Sequence, residues 1–153
     1  WPAYSLTYQS SDMNYQITHP SDWRTKAYRE GSDIVYDAMN RSEDILVRIR
    51  SISLSPGKPA FQILAALKSA FRTKKRNGAA PVRVDDLRIN GQYFEYEQYR
   101  WNHNGIQIAQ ENYYTATEGN AHILSTVLPV NKIDQHSDQV AGIIRSFHCP
   151  SSK

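Results

Sequence analysis

The sequence predicts an α+β domain: an antiparallel β-sheet meander covered by helices. Three observations carry this. Residues 84–128 contain four strand-like segments joined by short Asn/Gly turns, the pattern of sequential antiparallel neighbours. Residues 60–76 carry apolar side chains at helical spacing and end on Asn77-Gly78, a pair suited to a left-handed cap. A second helical stripe follows Pro129 and closes the chain. The 153 residues fit one domain, 1–153, with an ordered core expected over about 4–148.

The elements follow in order. The N-terminal stretch reads as short strands, with Tyr15 and Ile17 on one face of residues 14–18. His19-Pro20-Ser21-Asp22 breaks that strand, because Pro20 removes a ladder donor, and Trp23 follows as an apolar anchor. Strands are predicted over residues 25–29 and 33–39. Residues 45–54 form a stronger one, in which Ile45, Val47 and Ile49 share a face and Ile52 and Leu54 the other. That change of phase near Ser51 predicts a bulge or twist.

After Ser55-Pro56-Gly57-Lys58-Pro59, the first helix presents Ala60, Leu64, Leu67 and Phe71 on one stripe, with Gln62, Ser69, Thr73 and Arg76 opposite. Asn90-Gly91 is a favoured two-residue hairpin turn, since both positions take positive φ. The turns Asn102–Gly105 and Glu118–Asn120 separate the next strands. In the last helix Asn131 is the expected N-cap, Asp134 lies in the first turn, and Ile133, Val140, Ile144 and Phe147 line the buried stripe. Residues 148–153 are expected to fray.

Composition narrows the function classes. Hydrophobic residues make up 40% and charged residues 22%, a globular balance, and no run approaches the ~20 apolar residues of a membrane helix. The net charge of +3 is mild, and the dense cationic run, Lys74-Lys75-Arg76, sits where a helix C-terminus favours cations. No nucleic-acid partner is expected. The one cysteine, Cys149, has no intrachain partner and no zinc-ligand spacing. The five histidines show no metal-binding spacing, and there is no Gly-x-Ser-x-Gly elbow, phosphate-binding Gly loop or His-Glu-x-x-His run. The sequence predicts no catalytic residue, cofactor or metal, and hence no enzyme. Asp85 and Asp86 read as a bulge or strand edge, and the sequon Asn40-Arg41-Ser42 is discounted as a chance match.

The opening Met13-Asn14-Tyr15-Gln16-Ile17-Thr18-His19-Pro20-Ser21-Asp22-Trp23, an aromatic-bearing strand running into Pro-x-x-Trp, resembles that of the Mog/PsbP-like fold family. So does the closing Ile143-Ile144-Arg145-Ser146-Phe147, and the order of elements agrees over the whole chain. The resemblance implies an αβα sandwich shared with photosynthetic extrinsic subunits, a Ran-binding import factor, DcrB-type envelope lipoproteins and secretion-effector chaperones. It therefore implies a non-enzymatic binding or assembly module with a protein partner. A start at Trp1 matches a removed signal or lipoprotein leader, which points to an extracytoplasmic site, the periplasm or cell envelope, and a possible membrane tether.

One strand carries the candidate partner-binding residues. Tyr93, Glu95, Glu97, Tyr99 and Trp101 alternate along residues 92–101 and so share a face. Rings mixed with acids suit recognition, because Tyr and Trp make rigid contacts and two close carboxylates resist burial unless paired. Two other readings stay open. A small-molecule or metal-binding domain requires a pocket with convergent polar groups. A cytoplasmic secretion-effector chaperone requires an exposed apolar groove.

Overall fold

The computed structural model describes residues 4–150. The elements are β1 (Ser5–Ser10), β2 (Tyr15–Pro20), β3 (Arg24–Glu30), β4 (Asp33–Met39), β5 (Leu46–Ser53), α1 (Ala60–Arg76), β6 (Arg83–Ile89), β7 (Gln92–His103), β8 (Ile106–Thr117), β9 (Asn120–Pro129) and α2 (Ile133–Arg145). β1 and β2 form a separate hairpin. The other strands form a seven-stranded sheet in the order β3-β4-β5-β9-β8-β7-β6, antiparallel throughout. Both ends of the sheet, β3 and β6, are free edges among the described residues. The predicted meander is β6 to β9, and β9 returns to pair with β5.

The core lies on one side of the sheet, between it, the β1–β2 hairpin and α2. Tyr15, Ile17 and Trp23 meet Tyr36, Ile45, Val47, Ile49, Phe94 and Leu124 of the sheet. Val140, Ile143, Ile144 and Phe147 close it from the C-terminal segment. Trp23 packs here, as its position after the turn predicts. Phe147 is central, with its ring against Tyr15, Phe94 and His122. α1 lies on the opposite face, giving the expected αβα layers.

Asn90 and Gly91 take positive φ at the β6–β7 turn, as the sequence predicts. Asn90 also caps the exit of α2, where its Nδ2 donates to the carbonyls of Arg145 and Phe147 at 3.0 and 2.8 Å. Asn77, also left-handed, ends α1. The sequon residue Asn40 is buried and accepts the backbone N–H groups of Asp44 and Ile45, so it is folded inward.

Four expectations are corrected. No bulge interrupts β5, whose register with β9 runs unbroken from Leu46 to Ser53. Ser51 occupies a buried inward position because its hydroxyl bonds His122 Nδ1 at 2.8 Å, so the apparent phase change is a polar residue inside. Asn131 is not an N-cap: a 3-10 turn over Val130–Lys132 leads directly into α2. Along α1, Leu64 is buried and Leu67 and Phe71 half-buried, but Ala60 is exposed and Arg76 turns toward the sheet. The C-terminal segment does not fray at His148, which pairs with Gln16 through two backbone hydrogen bonds; Asn14 also holds the Pro150 carbonyl. The rest of the segment expected to fray, 151–153, lies outside the described residues. Cys149 packs half-buried against the core, and burial pushes its thiol up to about 11.

Candidate functional site: a groove beside α2

The five residues predicted to bind a partner share a face of β7, and α1 lies along that face. Lys68 Nζ reaches Glu95 at 2.5 Å, Arg72 reaches Glu97 at 3.5 Å, Phe71 packs on Tyr99, and the Arg76 guanidinium sits 3.7 Å above the Trp101 ring. Four residues of helix rise about 6 Å and two of strand about 6.7 Å, so Lys68 and Arg72 keep step with Glu95 and Glu97 beneath.

Glu97 and Tyr99 are only 3% and 1% exposed. The Tyr99 and Tyr114 hydroxyls donate to Glu97 Oε1 at 3.0 and 3.3 Å. Asn112 Nδ2 donates to the Tyr114 hydroxyl, and Ser125 and Gln110 donate to Asn112 Oδ1. Burial, then the Glu97 charge, pushes the Tyr114 hydroxyl well above the ordinary phenol range. The candidate partner-binding face is therefore covered by α1 at its centre. Glu97 and Tyr99 anchor α1, while Tyr93 is exposed and Glu95 and Trp101 lie half-covered at its margins.

On the other face, α2 covers the β5–β9 side of the sheet and leaves a groove over β6 to β8. One part, about 230 Å³, is walled by Ile133, Ser137, Val140 and Ala141 of α2, with Gln98, Glu111 and Tyr113 of the sheet beneath. It continues past Tyr113 and Ala141 into a second part of about 390 Å³, between Leu87 and Ile89 of the free edge strand and Ile144 and Arg145 of α2. Sequence reasoning missed Glu111 and Tyr113 as site residues. Their signal was the run of polar and aromatic residues on the same face as Tyr96 and Gln98.

Glu111 is the main polar feature of the groove. The Tyr96 hydroxyl donates a short hydrogen bond to Glu111 Oε2, and Thr126 Oγ1 donates to Oε1 at 3.2 Å. Burial and the Glu111 carboxylate together push the Tyr96 and Tyr113 hydroxyls above the ordinary phenol range. A further cleft, about 640 Å³, opens between the loop before α1, Ile63 and the β8–β9 turn. None of its lining residues is buried, so it is a surface hollow shaped by loops.

Among the described residues, no three or more His, Cys, Asp and Glu side chains converge as a metal cage. Both nitrogens of buried His19 are engaged, by the Pro20 carbonyl and the Tyr36 hydroxyl. Among the described residues, no helix is long and apolar enough to cross a membrane.

An open antiparallel sheet with one helix on each face and an N-terminal hairpin closing the core defines an α+β sandwich. Its particular form is the Mog/PsbP-like fold. The structure is similar to cyanobacterial PsbP (CyanoP) from Synechocystis sp. PCC 6803, with a TM-score of 0.74 and 12% identity, covering 98% of this chain and 95% of that one. It is similar to the Ran-binding protein Mog1p of Saccharomyces cerevisiae, with a TM-score of 0.56 and 9% identity over 95% of each chain. A protein of Bacteroides thetaiotaomicron VPI-5482 matches with a TM-score of 0.64 and 14% identity over 95% of this chain, which spans 48% of that protein's length. No protein-family model matches the chain, and no curated protein matches its sequence. At such identities the likeness establishes the fold and assigns no residue a role.

Proposed function

We propose that this chain is a non-catalytic binding domain, acting in the periplasm or cell envelope, that holds a segment of a partner protein in the groove beside α2. The observation that carries this is the shape and lining of the groove. It is elongated, apolar along α2, floored by Tyr113 and Glu111, and bordered by a sheet edge with a free ladder side. Grooves of this kind accept extended or helical segments, using the wall for affinity and a few polar groups for register. The similarity in fold to Mog1p, described as Ran-binding, supports a protein-binding use of the architecture. The β7 face remains part of the proposal at its margins, where Tyr93, Glu95 and Trp101 flank α1.

A photo-crosslinking residue at Ala141 tests the reading in the native cell, with the same residue at exposed Thr73 of α1 as control. A discrete adduct from position 141 alone supports it. Equal adducts from both positions, or none from 141, overturn it. Cell fractionation tests the compartment: recovery in the cytosolic fraction overturns the envelope assignment.

A further inference from the structure

Six carboxylates among the described residues are buried or half-buried: Asp33, Asp37, Asp44, Glu95, Glu97 and Glu111. Asp33 is paired with Arg50, Asp37 with Arg48, Asp44 with His136, Glu95 with Lys68 and Glu97 with Arg72. Among the described residues, Glu111 alone of the six has no Lys, Arg or His side chain within ion-pair distance. Arg83 lies two strands over, opposite Gln98, which in turn is opposite Glu111. It is exposed, engages Asp85 at 3.4 Å, and lies 5.7 Å from the Tyr96 ring.

A carboxylate withdrawn from water costs free energy unless paired. Two hydroxyl donors offset only part of that for Glu111. Glu111 lines the 230 Å³ part of the groove, whose walls also include the apolar Ile133, Val140 and Leu128, the Tyr113 ring, and the polar Gln98 and Ser137. A largely apolar recess with an anion on its wall fits an alkyl chain ending in a cation.

We propose that the cavity at Glu111 is a receptor for a single lysine side chain of the partner segment, its methylene stem against α2 and Tyr113 and its ammonium on Glu111. The charge complementarity resides in the unpaired carboxylate, and the adjoining 390 Å³ accommodates the residues next to that lysine. This rests on the reading of the groove as the binding site.

The probes are N-acetyl-lysine-N-methylamide and N-acetyl-norleucine-N-methylamide, which has the same four-carbon chain without the ammonium, titrated into isotope-labelled protein and followed by amide chemical shifts. The lysine probe is expected to shift the amides of residues 109–113 and 137–141 and to bind about tenfold tighter than norleucine, the factor for one charge-assisted hydrogen bond. Glu111→Gln keeps an acceptor for Thr126 and should reduce the lysine probe to the norleucine level. Ala141→Leu, which fills the cavity without touching Glu111, should abolish both responses; its unchanged spectrum elsewhere verifies folding. Equal binding of the two probes overturns the lysine receptor and leaves the groove standing. No shift at the groove with either probe overturns both.

Discussion

His122 makes the stability of this domain depend on pH. The ring is fully buried, between Tyr15 and Phe147, with Nδ1 on the Ser51 hydroxyl and no partner for Nε2 among the described residues. Burial lowers its pKa from the ordinary 6.5 to about 4. The unfolded chain therefore binds a proton at this residue before the folded one does. Stability from the neutral ring is complete above pH 6.5 and declines as pH falls toward about 4. A difference of about 2.5 pKa units corresponds to roughly 3 kcal/mol, most of it already lost by about pH 4.5.

The perturbation is the double substitution Ser51→Ala and His122→Phe, which removes the titrating ring together with the hydroxyl it would orphan. Urea denaturation at about pH 7.5 and about pH 4.5 measures both proteins. The wild type is expected to lose about 2–3 kcal/mol more between the two pH values than the variant does, whatever the exposed carboxylates contribute to each. Equal losses would refute the reasoning, because His122 would then titrate alike in the folded and unfolded chains.

Three further outcomes follow from the packing. Leu64→Ala removes the fully buried leucine of α1 and is expected to cost about 2–4 kcal/mol in urea denaturation; a cost under about 1 kcal/mol would show that α1 is held by its cations alone. Tyr114→Phe deletes a hydroxyl that donates to Glu97 and accepts from Asn112, with an expected loss of about 1–3 kcal/mol, read from the denaturation midpoint at constant m-value. Asn90→Gly keeps the left-handed turn without strain and removes the two bonds to the end of α2. It should cost about 1–2 kcal/mol and speed amide exchange in the last turn of α2, and protection unchanged from wild type would contradict the capping role.

The architecture was legible because local signals and packing agree. Asn90-Gly91 needs positive φ at both residues and has it, and the stripe through Leu64, Leu67 and Phe71 faces the sheet. The polar exceptions were the illegible part. Ser51 and His122 lie opposite each other in β5 and β9, 71 positions apart in sequence, so neither strand alone shows why a serine belongs inside. His148 could not be seen as a bridge residue, since its partner Gln16 lies at the other end of the chain.

The face of β7 was misjudged for a related reason. Rings occupy both parities of that strand, Phe94 and Tyr96 on one side, Tyr93, Tyr99 and Trp101 on the other, so alternation defines two faces without saying what covers either. The deciding information was in α1. Lys68, Arg72 and Arg76 recur every four residues on the stripe that also carries Leu64 and Phe71, a placement unsuited to a helix meeting an apolar sheet. A cationic stripe turned inward requires acids and rings beneath it, and Glu95, Glu97 and Trp101 supply them in the same chain order. The acids that drew attention as a recognition surface are thus the ones already matched within the fold. Residues whose charge the fold pairs hold structure together, and a half-buried charge held by hydroxyl donors without a cation is the better candidate for recognition. On this sheet that criterion moves the search from Glu95 and Glu97 to Glu111, on the opposite face and one strand over.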